Sequence, residues 1–545
     1  MQVRIAICTA LALLAACQRS EPPAASSAAA NAAAASNAAA ATAGTSGVAH
    51  IEGIEWFQGG IDAAFDEAAR HDRLVFLYWG AEWCPPCYDL KAHVFPRSDF
   101  QQALRQFIPV YLDGDAPGAQ RIADQFNVQG YPSVVVLRAD RTELARISGG
   151  SDLASYADVL DLALENAQPL DQLLASLRQD ASRKLAPAEC RRLAWNDWSD
   201  AQMPSASLVP ALQLAAQRCP ESSRVERDRL MVLAADLAAM EEAEAIAAKN
   251  APGPQLTALV RQVDDLLADT PRSMDAGTAL LYLGDEFLEA ARVAQPLDVT
   301  RMQQRYLAFL DALEADTRQS DTVRLLTAAR RLQAVRVLGG GKDIPEPIAQ
   351  RARATLDAFL AREYDANARA GIINSASWVL SELGDDARLR ALLEQQMKIS
   401  RTAYYYMPDV ADIEERAGNT AAALQWLERG YKESRGPATR FQWGVLYVNG
   451  LLRMSPRDEP RIRAAALEVI GELDGPDRIH ARARVRLERL DAALAKWAAE
   501  SGHSATLTAV GQRWREICAR LDAADPVRQA CPGLLGSRQR AETGA

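Results

Sequence analysis

Two hydrophobic periods alternate along the chain between residues 60 and 140, and past residue 170 only one of them persists. Ile61, Ala64, Phe65, Ala68 and Ala69 recur at helical spacing within Ile61–Arg73, which predicts an amphipathic helix. Leu74–Trp79 is an unbroken apolar run, the mark of a strand buried on both faces. Gly80–Trp83 turns the chain, and Cys84 then opens a helix. Phe107–Leu112 and Ser133–Leu137 read as two further strands, with a helix over Ala119–Phe126 between them. Such alternation predicts an α/β domain, a central sheet with helices on both faces, and we place its bounds at 49–167.

From Leu170 onward strand signals almost vanish. Ala-, Leu-, Arg- and Glu-rich segments with helical spacing are interrupted by Pro204, Pro220, Pro252, Pro271, Pro296, Pro345, Pro408, Pro437 and Pro456. Helix pairs stacked as an α-solenoid are the architecture this predicts over 168–540, with 541–545 as a tail. Gly284-Asp285, Gly384-Asp385 and Gly418-Asn419 each sit between two apolar helical stretches. Leu383-Gly384-Asp385 and Ala417-Gly418-Asn419-Thr420-Ala421-Ala422-Ala423 resemble the turns of tetratricopeptide-type repeats. Trp378, Tyr404, Tyr405, Tyr406, Trp426, Trp443 and Tyr447 crowd into one stretch. At helical spacing they are expected as core, the alternative being a peptide groove. His480 and His503 are isolated and expected to be solvated.

The N-terminus changes the picture. One positive charge is followed by a short apolar run, Ile5–Ala16, the length of a secretory signal rather than a membrane span. Leu14-Ala15-Ala16-Cys17 resembles the lipobox of bacterial lipoproteins. That resemblance implies a signal peptide over 1–16, lipidation of Cys17, and a membrane anchor on the periplasmic side of the cell envelope. Gln18, where an aspartate implies inner-membrane retention, points to the outer membrane. Residues 17–48 are almost wholly Ala, Ser, Asn, Thr, Pro and Gly. With nothing large to bury they read as a linker, whose thirty-odd residues span about 30 Å as a coil.

Composition excludes little else. The 545 residues are 49% apolar and 24% charged, with a formal charge of -10 and no basic block, which argues against a nucleic-acid binder. Cysteines say more. Once Cys8 is cleaved away and Cys17 lipidated, six remain in an oxidising compartment. Cys84 and Cys87 form a C-x-x-C pair. Cys190/Cys219 and Cys518/Cys531 are sequence-local candidates for structural disulfides, though six cysteines allow many connectivities. Zinc would need two further ligands beside the C-x-x-C, and none accompanies it; no metal or other cofactor is expected.

Ala81-Glu82-Trp83-Cys84-Pro85-Pro86-Cys87, with Val128-Gln129-Gly130-Tyr131-Pro132-Ser133 downstream, resembles the thioredoxin superfamily, most closely its periplasmic thiol:disulfide interchange domains. The resemblance implies a thioredoxin fold, Cys84 as nucleophile and Cys87 as resolving thiol. It implies that Pro132 is a cis-proline facing the pair and that Tyr131 offers backbone hydrogen bonds to an extended substrate. Trp83 is expected to cover the pair on one side. Where many members of the superfamily carry a buried aspartate, this chain has Tyr78. Asp113 is a candidate to handle the Cys87 proton, but a strand-end turn is its simpler role. His71 and His93 are expected on exposed helix faces.

Placement carries the chemistry. A helix N-terminus lowers a thiol's pKa through unpaired N–H groups and its dipole, and the thiolate is the attacking species. Pro85 and Pro86 lack N–H groups, and Glu82 adds negative charge nearby. A poorly stabilised thiolate makes a better reductant, so a reductase or isomerase of protein disulfides is expected rather than a strong oxidase. The electron donor is open. The alternative is an interaction protein whose solenoid is the working part and whose redox domain is an accessory or a sensor.

Overall fold

The structure, a computed structural model, describes residues 53–148, 160, 168–180, 182–198, 204–341, 343–475, 477–522, 527–528 and 531–535. The signal peptide, Cys17, the linker and the tail lie outside the described residues.

The α/β domain is a four-stranded sheet in the order β2-β1-β3-β4, made of β1 (Leu74–Gly80), β2 (Phe107–Asp113), β3 (Ser133–Leu137) and β4 (Glu143–Ser148). β1 runs parallel to β2 and antiparallel to β3, and β4 is antiparallel to β3. β1 is apolar throughout because its side chains alternate between two buried faces. Phe76 and Tyr78 enter one core with Phe95, Phe100 and Val136. Val75, Leu77 and Trp79 enter the other with Phe65, Ile122 and Val135. Helices α1 (Ile61–His71) and α4 (Ala119–Gln125) supply the second core, α2 (Pro85–His93) and α3 (Ser98–Leu104) the first.

β4 and α3 are additions to the sequence reading. Arg146 breaks the apolar pattern of β4, yet it is buried. Its guanidinium pairs with Glu143 at 2.8 Å and donates to the Phe126 carbonyl at 2.6 Å, which satisfies a charge the interior would otherwise penalise.

Beyond Leu170 the described residues are helical. Successive helices pack in antiparallel pairs such as Val299–Ala315 with Asp321–Leu338 and Met407–Arg416 with Thr420–Glu433; next-but-one neighbours also touch, as Asp321–Leu338 and Ala366–Leu383 do. Proline starts helices here more often than it stops them. Pro271, Pro408 and Pro437 occupy the first turn, where a missing N–H has no intrahelical partner to lose. Gly384 and Gly418 have φ of +66° and +79° between consecutive helices, a conformation glycine adopts without strain. Gly284, expected to match them, has φ -69° and precedes its helix instead, so it is a different joint. Disulfides Cys190–Cys219 and Cys518–Cys531 tie sequence-local segments, with Cα separations of 5.9 and 6.1 Å. Among the described residues no helix is long and apolar enough to cross a membrane.

The helical region wraps the α/β domain. At one sheet edge the β4 backbone is bonded by Asn196 and Asp197: Arg146 N–H donates to Asn196 Oδ1, and Asp197 N–H to the Arg146 carbonyl, both at 2.8 Å. Midway along the helical region, Ala366–Leu383 lies against α2. Gly371 permits that approach, since a Cβ there would press on Thr322 and Asp89.

Candidate active site

Cys84 is the N-cap of α2, with φ -86° and ψ 108°, and is joined to Cys87 by a disulfide across a Cα separation of 5.3 Å. The two prolines that follow have no N–H to offer, but the third position does. Cys87 N–H donates to Cys84 Sγ at 3.2 Å, so one helix-terminal donor still faces the sulfur. The Tyr131–Pro132 peptide is cis. Tyr131 and Trp83 pack against Ala81, Cys84 and Cys87, which gathers the C-x-x-C pair, the preceding tryptophan and the proline loop in one place.

What covers them is the helical region. Cys84 is 2% exposed and Cys87 0%. The Trp83 indole stacks on Tyr405, centroids 5.8 Å apart, and meets Trp443 edge-on at 5.5 Å and Tyr131 at 5.7 Å. Trp443 is fixed in turn by donating Nε1–H to the Tyr404 carbonyl at 2.9 Å. The aromatic stretch is therefore neither plain solenoid core nor an open peptide groove. Part of it forms a roof over the disulfide.

Asp115 clasps the roof down. Its carboxylate accepts from Trp83 Nε1–H at 3.0 Å and from the Thr439 N–H and hydroxyl at 3.1 and 2.7 Å. Burial pushes its pKa up to about 6 against the pull of those donors. Gly436, with φ +81°, brings the Thr439 segment close enough that a Cβ at 436 would run into the Asp115 side chain. A second clasp joins Asp124 to the backbone N–H of Ala481 at 2.9 Å, at the start of helix Ala481–Ser501.

The other candidate residues fall into structural roles. Asp113 Oδ1 accepts from the Asp115 N–H at 3.1 Å and closes the turn after β2; burial raises its pKa, with Lys91 opposing. Tyr78 is fully buried beside Phe95 and Tyr111. His71 pairs with Glu67 on a helix surface, whereas His93 is half-buried beside Asp89 at 3.5 Å. His480 and His503 correct the expectation of solvated histidines. His480 is buried as the N-cap of Ala481–Ser501, its Nδ1 accepting from Ala483 N–H at 3.3 Å. His503 stacks on Trp497 and pairs with Glu459. Asp115, Thr439, Arg482 and Arg486 escaped the sequence reading, because no local pattern marks a contact across more than three hundred residues. Among the described residues no cluster of His, Cys, Asp and Glu is arranged to hold a metal ion.

No curated protein matches the chain. The family comparison gives a match over residues 61–164, the segment that contains the disulfide, the cis-proline and all four strands. That segment is a thioredoxin-like domain, and it is joined to a large helical region.

Proposed function

We propose that the chain is an exported, lipid-anchored thiol–disulfide oxidoreductase working through Cys84 and Cys87. The observation that carries this reading is a disulfide whose first sulfur caps a helix, beside a proline loop, in a thioredoxin-like domain. Cys84 as thiolate attacks a substrate disulfide, and Cys87, one turn on, attacks the Cys84 sulfur of the mixed disulfide and releases the second substrate thiol. The prolines withhold two N–H donors from the Cys84 thiolate, which favours the reducing or isomerising direction. Two further disulfides, Cys190–Cys219 and Cys518–Cys531, support an oxidising compartment such as the periplasm. The roof restricts access. A folded protein client reaches Cys84 only if Trp83 and its partners move, and otherwise the substrate is small.

The test is substitution of each cysteine in the full chain. Cys84→Ser should abolish disulfide reduction while the helical circular dichroism is retained. Cys87→Ser should accumulate mixed disulfides that mass spectrometry can identify. Turnover that survives Cys84→Ser would end the enzymatic reading and leave an interaction protein with a covered structural disulfide.

A further inference from the structure

Between the helical region and the thioredoxin-like domain lies a small, partly open pocket with an unusual wall. Trp83 and Tyr131, which pack on the disulfide, form one side; Gln442, His480, Arg482 and Arg486 form part of the other. Arg482 and Arg486 share a face of helix Ala481–Ser501, one turn apart. Arg482 lies over the Tyr131 ring at 4.4 Å. Arg486 donates to Gln442 Oε1 at 2.8 Å and to the Arg482 carbonyl at 3.1 Å. Neither guanidinium has a carboxylate within ion-pairing distance among the described residues, although arginines elsewhere in the helical region are paired repeatedly.

Three arginines, 482, 484 and 486, stand in the first six residues of that helix, at the positive end of its dipole. Burial and Arg482 weigh against the Arg486 charge and push its pKa down to about 9, which leaves it cationic at neutral pH. His480 is held neutral by burial and by the same arginines, its pKa pushed down to about 3. With Nδ1 accepting from Ala483, its Nε2–H is the remaining donor. The nearby carboxylates are already engaged: Asp124 with Ala481 N–H, Asp115 with Thr439 and Trp83. The pocket thus gathers donors and positive charge, has an aromatic wall, and adjoins a redox disulfide.

We propose that this pocket binds the carboxylate of a low-molecular-weight thiol, which exchanges electrons with the Cys84–Cys87 disulfide past the Trp83–Tyr131 contact. The inference rests on the oxidoreductase reading and names its small redox partner. The thiolate of the small molecule attacks Cys84 Sγ. A new S–S bond forms, the Cys84–Cys87 bond breaks, and its electron pair leaves on Cys87 Sγ, which takes a proton from water. A second thiolate attacks the small molecule's sulfur in the mixed disulfide and releases Cys84 as thiolate. Two thiols become one disulfide, and the protein gains two electrons.

The test uses the oxidised full chain with 3-mercaptopropionate, 2-mercaptoethanol and cysteamine, which differ in charge. Reduction of Cys84–Cys87 is followed by alkylation and peptide mass spectrometry, so that the other two disulfides are scored separately, and each rate is normalised to thiolate concentration. 3-Mercaptopropionate should react at least about tenfold faster than 2-mercaptoethanol, a difference that shrinks with salt as expected of a charged site. Cysteamine should be slowest. In Arg482→Gln/Arg486→Gln the ratio should fall toward one, and Arg482→Lys should restore part of the preference to Arg482→Gln. Should the double variant not fold, succinate added to the wild type must inhibit the 3-mercaptopropionate reaction competitively. Equal rates for all three thiols, a preference that survives the double substitution, or no inhibition by succinate overturns the anion site alone. Faster turnover of insulin than of dithiodipropionate by the reduced protein overturns the small-molecule assignment. A disulfide that none of these thiols nor dithiothreitol reduces in the folded chain overturns the redox reading itself.

Discussion

Asp115 shows how one side chain can be both clasp and liability. It takes three hydrogen bonds from Trp83 and Thr439, yet burial raises its pKa to about 6. The unfolded carboxyl titrates near 4, so the folded state holds this proton more tightly. The resulting stabilisation is full below about pH 4 and is lost as pH rises through 6. Asp115→Asn carries no such proton. The stability of the wild type relative to this variant should therefore fall by about 2 kcal/mol between pH 4 and pH 6 and level off only above about pH 7. Urea titrations across that range measure it, and a difference that does not move with pH refutes the assignment. Cys84 was legible at this scale, since C-x-x-C after an apolar strand is a local pattern. Asp115 was not, because an aspartate two residues past a strand resembles any turn residue until its partner at 439 is known.

Among the elements, the loop leading into helix Pro437–Met454 is fitted closely against the α/β domain. Gly436 has φ +81° and ψ 148°, a region costly to any residue with a Cβ, and its missing side chain leaves room for Asp115. Gly436→Ala should cost about 1–3 kcal/mol and shift the segment that carries Thr439 and Trp443. Reduced Cys84 should then react faster with iodoacetamide; a loss of stability with labelling unchanged would show that this loop does not hold the roof. The Cys190–Cys219 bridge acts through the unfolded chain instead. It closes a loop of 29 residues, and replacing both cysteines by alanine should cost about 3–4 kcal/mol in the chain-entropy estimate, read as a lower urea midpoint. Helical spacing made most of these elements visible, and strand β1 declared itself by its unbroken apolar run. β4 did not, because its Arg146 looks solvent-facing until Glu143 and the Phe126 carbonyl are seen to satisfy it. Two histidines were misjudged for a related reason: polarity predicts exposure unless a cap or a stacking partner is supplied from elsewhere.

In the whole molecule, the disulfide is closed off by contacts between segments far apart in the chain, two aromatic faces and two carboxylate clasps. The roof is held by a few side chains and two clasps rather than by a continuous core, so it should open before the rest unfolds. Labelling of reduced Cys84 should accelerate with urea well below the global midpoint; a rate that stays flat until the whole chain unfolds would mean that the roof and the cores form one cooperative unit. By itself the sequence determined the local chemistry: a sulfur at a strand–helix joint, a second one turn later, amphipathic helices, and cysteines close enough to pair. Those follow from the periods of helix and strand and from backbone geometry, which act over a few residues. Only the tertiary structure decided what lies over the sulfurs. Small rotations between successive helices add up along the superhelix, and that sum, which no short stretch encodes, carries Tyr405, Trp443 and Arg482 back onto Trp83 and Tyr131.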